Sequence, residues 1–154
     1  TIDDEITHVT LYMQLQNMRY NHCADFIADI PPELGSLTIP KLTFQPIVEN
    51  ALLHGILMKE EKKGCILLTG WREGEDAVLV ISDDGAGIAP EKLDTLLDSL
   101  SADNGLTSLR HIGVSNTNLR LKSLYGDAYG LSFTSTPGQG TEVTVRIPAR
   151  PVSL

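Results

Sequence analysis

Four short stretches carry residue types that could do chemistry at positions where the surrounding pattern is apolar. Asp83-Asp84-Gly85-Ala86-Gly87-Ile88 follows directly on the apolar run that ends at Asp83. Side chains on a strand alternate between faces, so Asp83 shares a face with Leu79 and Ile81 and points toward whatever covers them. A carboxylate acceptor held at a strand end suits an exocyclic amine such as adenine N6, and Gly85 and Gly87 leave room for a flat ring against the backbone. An ordinary acidic turn would show the same letters. Upstream, Glu49 and Asn50 interrupt an apolar helical pattern, and His54 lies one turn beyond Asn50 on the same stripe. An amide oxygen with a nearby carboxylate offers Mg²⁺ a direct or water-mediated seat, shared with the phosphate oxygens of a nucleotide. The plain alternatives are an Asn50 amide bonded to a neighbouring loop, a Glu49 in solvent and a His54 satisfied locally or facing water.

The third stretch, Ile112-Gly113-Val114-Ser115-Asn116, opens a helical pattern. A helix N-terminus presents unpaired N–H groups and the positive end of the dipole, which suits phosphate, although a glycine at a helix start needs no ligand to explain it. In the fourth, Gly138-Gln139-Gly140-Thr141, the glycines fit a hairpin turn and the Thr141 hydroxyl could join a ring-binding site.

The elements that would position these groups follow from periodicity. Ile6, Val9, Met13 and Met18 predict an amphipathic helix from Asp3 to about Asn21, capped by Asp3 or Asp4. A short strand over residues 25–30 ends at Pro31-Pro32, and residues 31–40 read as a loop. A second helix starts between Pro40 and Pro46, buries Phe44, Ile47, Val48, Ala51 and Leu52, and is closed by Gly55 and the lysine-rich run after it. Cys65 to Trp71 and Ala77 to Asp83 read as a hairpin. A helix from Pro90 to Leu100 leads into a polar stretch, residues 101–108, expected to be mobile. A helix follows from Val114 to Tyr125, with Gly126 at its stop. Two last strands run over residues 129–135 and 141–147, and alternation in the second leaves one sheet face partly wet. The order predicts an α+β two-layer sandwich, a mostly antiparallel sheet covered on one face by helices.

Composition narrows the partners. The chain has 154 residues, 42% hydrophobic and 21% charged, enough for one packed domain. Twenty acidic against twelve basic residues give a net charge of −8, so nucleic acid is not an expected partner. No run approaches the ~20 apolar residues that cross a bilayer. Cys23 and Cys65 form neither a disulfide framework nor a metal-spaced set, which fits a reducing, cytoplasmic setting. A first residue that is Thr, just before a helix, suggests a piece of a longer protein.

Taken in order, four segments resemble the N, G1, G2 and final glycine boxes of sensor histidine kinases, most closely the LytS/YesM type. They are Gln45 to Gly55 (QPIVENALLHG), Asp83 to Ile88 (DDGAGI), Ile112 to Leu121 (IGVSNTNLRL) and Pro137 to Thr141 (PGQGT). Tyr12 to Tyr20 is similar to the helix that precedes the ATP-binding domain in that group. The resemblance implies the Bergerat fold of the GHKL ATPases, with 1–22 as a helix from an upstream region, 23–150 as the catalytic domain and 151–154 as a tail. It implies ATP and Mg²⁺ as cofactors. Asn50 would bind the metal with Glu49 in support, these two being the catalytic pair, and Asp83 would hold adenine. Gly85 and Gly87 would shape the ring pocket, with His54, Ile88, Val114 and Thr141 also toward the nucleotide. Gly113, Asn116 and His111 would face the phosphates, and residues 93–111 would form the ATP lid.

Two positions depart from the pattern. Leu53 stands where many relatives carry a phosphate-directed lysine, and His111 where the G2 box has glycine. The phosphoacceptor histidine of the family has no counterpart, so His8 and His22 read as surface residues. The implied partners are an upstream acceptor helix of the same protein, a response regulator and a second copy in a full-length homodimer, with membrane attachment only through segments upstream. A non-catalytic nucleotide-binding scaffold and a gyrase-type ATPase are the alternatives.

Overall fold

The computed structural model describes residues 1–101 and 112–150. His111, the lid beyond residue 101, nearly all of the polar stretch 101–108 and the tail 151–154 lie outside the described residues.

Helix α1 spans Ile2–Arg19. Its cap is Thr1 rather than Asp3 or Asp4: the Thr1 hydroxyl accepts the Asp4 N–H at 3.2 Å, and the Asp4 carboxylate accepts from the Thr1 amine at 2.9 Å. A reciprocal pair of this kind satisfies N–H groups that the first turn leaves open. Ile2, Glu5, Val9 and Met13 face inward. Met18, expected in that stripe, is 80% exposed and lies with Leu11 and Leu15 on the outer side; the 3.6 period has carried it round the helix by the last turn.

Strand β1 (Ala24–Asp29) pairs parallel with β2 (Gly64–Glu73), and the chain between them forms two helical pieces. The loop predicted over 31–40 contains a single turn, α2 (Pro32–Gly35), begun at a proline that has no N–H to satisfy there. Helix α3 (Phe44–Asn50) starts between Pro40 and Pro46, as predicted. It runs on through a π-helical turn, Ala51–Gly55, and a tighter turn, Ile56–Met58, so Gly55 does not end it. The stripe Phe44, Ile47, Val48, Ala51 and Leu52 is buried as predicted.

Strand β3 (Asp76–Asp83) returns antiparallel to β2 around Gly74, whose φ is +61°. Helices α4 (Pro90–Ser101) and α5 (Ile112–Tyr125) follow, then β4 (Gly130–Thr136) and β5 (Gly140–Pro148). The sheet order is β1-β2-β3-β5-β4, antiparallel apart from the β1/β2 pair, and the helices cover one face. Ile66, Leu68, Leu79, Ile81, Val145 and Ile147 supply the inner sheet face against Phe44, Ile47, Leu52, Ile56 and Leu121. Each such side chain contributes about 1.5–3 kcal/mol on burial. The opposite face is partly wet; Val78 is buried there between its cross-strand neighbours Trp71 and Arg146. Arg146 is tied in turn to Glu73 and Asp76. No described helix is long and apolar enough to cross a membrane.

Leu42 and Gly140 both lie at positive φ, with strain at the leucine and none at the glycine. Leu42 has φ +59° in the loop entering α3, a conformation that costs a bulky residue about 1–3 kcal/mol. Gly140 has φ +128°, and a Cβ there would lie 1.9 Å from the Asp83 carbonyl oxygen. Gly140→Ala should therefore lower the unfolding free energy by about 2 kcal/mol or more, read from the chemical denaturation midpoint. A loss below about 0.5 kcal/mol would mean that the start of β5 shifts freely.

Candidate functional site

One cleft lies between the inner sheet face and the helices. Its floor is the end of the β3/β5 ladder, where Asp83 and Thr141 are cross-strand partners, with Ile81, Val143 and Phe133 beside them. Its walls are Ile47, Asn50, Ala51, His54 and Gly55 from the α3 segment, Leu96 from α4, Val114 from α5, and Ile88. The lining is mostly apolar with a few converging polar groups, the usual character of a small-molecule site.

Asp83 reaches this cleft because strand parity sends it there, and the loop that follows fixes it. Its Oδ1 accepts the Gly85 N–H at 2.8 Å. Burial pushes its carboxyl up to about 6 from 3.8, with the Asp84 charge adding to the rise and the N–H groups of Gly85 and Thr141 opposing it. Asp84 plays a different part: it is exposed, and it accepts the Cys65 N–H at 2.9 Å at the end of β2.

The glycines of this loop act on chain packing. A Cβ on Gly85 would fall 2.5 Å from the Gly55 Cα, and one on Gly87 would fall 2.3 Å from the Thr136 carbonyl oxygen. The Ala86 N–H donates to Gly55 O at 3.0 Å, and the Gly138 N–H donates to Ala86 O at 2.7 Å. The space that Gly85 and Gly87 were expected to leave for a ring is thus occupied by neighbouring backbone. They bring the helix end, the β3 end and the β4–β5 turn together.

Of the residues singled out from sequence, Asn50, His54, Asp83, Ile88, Val114 and Thr141 line the cleft. Glu49, Gly85, Gly87, Gly113 and Asn116 are not in its lining, and His111 lies outside the described residues. Glu49 is half-buried on the α1 side: burial, with the Glu49 charge next in effect, raises the Tyr12 hydroxyl to about 12. Gly113 packs the start of α5 against Pro46, where a Cβ would lie 3.2 Å away. Asn116 is exposed.

Sequence reasoning missed Ser135. Its hydroxyl accepts the Ile88 N–H at 2.8 Å, donates to Gly140 O at 3.0 Å and sits 2.9 Å from the Thr141 hydroxyl, so it joins the glycine loop to the cleft floor. Its position on the β4 face shared with Phe133 and Leu131 was the available signal. Among the described residues, no group of three His, Cys, Asp or Glu side chains could hold a metal. One amide oxygen at Asn50 fits an ion such as Mg²⁺ that keeps its waters and shares phosphate oxygens, and does not fit a protein cage.

The raised Asp83 carboxyl has a signed consequence for the unliganded protein. The native state holds this proton more tightly than the unfolded chain, so the associated stability is fully present below about pH 4 and is lost as pH rises through about 6. Asp83→Asn removes that term, and relative to wild type the variant should gain stability between about pH 4 and 6.5, then level off. Denaturation midpoints across that range measure it; a difference independent of pH would contradict the burial of this charge.

Comparison with known proteins places the arrangement. Residues 38–151 match the family described as histidine kinase-, DNA gyrase B-, and HSP90-like ATPase. Sensor histidine kinase BtsS of Escherichia coli K12 is 31% identical over 150 residues, covering 97% of this chain and 24% of BtsS. Sensor protein LytS of Streptococcus mutans is 34% identical over 154 residues, covering 96% of this chain and 24% of LytS. The solved structure of histidine kinase ThkA in complex with the response regulator TrrA shares the fold, with a TM-score of 0.68 at 15% identity over 98% of this chain and 41% of that one. The chain spans about a quarter of the length of these curated relatives. Four boxes in order, a mixed five-stranded sheet with helices on one face and a match across residues 38–151 converge: the chain belongs to the family of histidine kinase-, DNA gyrase B- and HSP90-like ATPases.

Proposed function

We propose that this domain binds ATP with Mg²⁺ and serves as the catalytic part of a sensor histidine kinase, passing the γ-phosphoryl group to a histidine outside this chain. A response regulator is the onward acceptor. One observation carries the reading: Asp83 at a strand end and Asn50 on a helix, far apart in sequence, line the same apolar cleft.

The roles divide along the cleft. The Asp83 carboxylate accepts from the adenine amine, Thr141 adds a hydroxyl beside it, and Ile81, Ile88 and Phe133 exclude water from the ring. Asn50 offers its amide oxygen, with the Glu49 charge at the adjacent position. Bound Mg²⁺ neutralises phosphate charge. Gly113 and Val114 place the N–H groups of the α5 start toward the phosphates. In the transfer an imidazole nitrogen bonds to the γ-phosphorus, the bond to the bridging oxygen breaks, ADP leaves and the ring gives a proton to water. The domain needs no nucleophile of its own, since positioning and charge do the work. Hydrolysis of the gyrase type has less support, because the glutamate it requires would face the phosphates and Glu49 sits toward Tyr12 of α1.

Titration of the domain with ATP and ADP, with and without Mg²⁺, tests the reading. Wild type should bind ATP more tightly with the metal. Asp83→Asn should weaken both nucleotides by about tenfold or more, and Asn50→Ala should abolish the metal dependence while leaving adenosine binding within about twofold. With labelled ATP, an added acceptor-helix protein should take up label and His8 and His22 should not. His8 already bonds to Gln45 across the α1/α3 seam. Binding without transfer would favour the scaffold alternative, and absence of binding would overturn both.

A further inference from the structure

The strained corner at Leu42 is held from two sides by side chains of two other helices. The Leu42 N–H donates to Oε1 of Glu5 on α1 at 2.8 Å, and its carbonyl accepts from Nη2 of Arg120 on α5 at 3.0 Å. The Leu42 side chain is 48% exposed, so packing does not stabilise its left-handed backbone. The hydrogen bonds do. The second Glu5 oxygen accepts the N–H groups of Thr43 at 2.9 Å and Phe44 at 3.3 Å, where α3 begins. Thr43 does not cap this helix; its hydroxyl donates to Pro40 O at 2.6 Å. Glu5, only 6% exposed, supplies from α1 the acceptor and the negative charge that a helix start calls for.

Three elements therefore meet at one peptide. Farther along, α3 carries Asn50 into the cleft, and α5 brings Val114 to its opposite wall. Helices α1 and α3 run side by side in the same direction, since Glu5 meets residues 42–44 and His8 meets Gln45. A displacement of α1 that withdrew Glu5 would free the Leu42 corner to relax out of the left-handed region. The head of α3 would then lose its hydrogen-bonded link to Arg120 of α5 and keep only the packing of Pro46 on Gly113.

We propose that Glu5 and Arg120 are positioning residues that lock the Leu42 corner, and that through it the placement of α1 controls the metal and phosphate half of the nucleotide site. This inference rests on the cleft being a Mg²⁺–ATP site. The adenine half stands on the sheet ladder and does not depend on the corner.

The experiment compares wild type, Glu5→Gln, Arg120→Ala and the double variant Glu5→Gln/Leu42→Gly. Affinities are measured for ATP with Mg²⁺, for ATP with chelator and for adenosine, alongside thermal melts. Glu5→Gln and Arg120→Ala should each weaken Mg²⁺–ATP by about tenfold and adenosine by less than about twofold. Glycine adopts φ +59° without strain, so Leu42→Gly should restore most of the affinity that Glu5→Gln loses. A purely structural Glu5 would lower all three affinities with the melting temperature and give no rescue, which would overturn the proposal. So would affinities within about twofold of wild type in both single variants. Should Glu5→Gln fail to fold, Arg120→Ala at an exposed position carries the test alone. Wild type that binds ATP with no metal dependence would overturn the functional reading itself; metal-dependent wild type with unaffected variants would overturn only the corner.

Discussion

A carboxylate taken partly out of water at the end of a central strand is the constraint on which the rest of this architecture turns. Asp83 is raised by burial, and the fold offsets that penalty with N–H groups from Gly85 and Thr141. Those donors reach it only because several chain segments come closer than side chains would allow. Gly55 and Gly85 touch backbone to backbone, Gly87 lies against Thr136, and Gly140 abuts the Asp83 carbonyl. Each contact excludes a Cβ, so Gly55, Gly85, Gly87 and Gly140 answer to crowding around this strand end. Ser135 closes the arrangement by binding the loop, the turn and the Thr141 hydroxyl at once.

Much of this was legible in the sequence because it depends on period. Strand parity alone placed Asp83 inward, and the spacing of Phe44, Ile47, Val48, Ala51 and Leu52 gave the buried face of α3. The hairpin between β2 and β3 and the stop at Gly126 follow from local chemistry: Gly126 has φ +108° and donates its N–H to Lys122 O at 2.8 Å. What escaped is non-local. Glu5 reads as one more acid on an acidic first turn, and only the loop folded back 37 residues later makes it a buried acceptor. Gly85 looks like ring space until Gly55 arrives to fill it. The continuation of helical structure past Gly55 to Met58 depends on the buried Ile56, whose partners are tertiary.

The same distinction explains why one motif contains residues with unrelated duties. In DDGAGI, Asp83 faces the cleft, Asp84 ties down the end of β2, the glycines permit close backbone approach and Ile88 returns to the lining. In the N box, Asn50 and His54 reach the cleft while the intervening Leu52 is core and Glu49 turns toward α1. A helix that shifts into a π turn directly after Asn50 changes which residues share a side, and such turns recur at working sites.

The two ends of the cleft are built from different materials, a hydrogen-bonded ladder under Asp83 and Thr141 and helical turns around Asn50 and Val114. Ladders resist displacement because each rung is shared with the next, whereas packed helices slide by small amounts against one another. For a nucleotide seated as proposed, choice of base and pace of turnover become independently adjustable traits. Lineages could retune timing through helix contacts while leaving purine selectivity untouched.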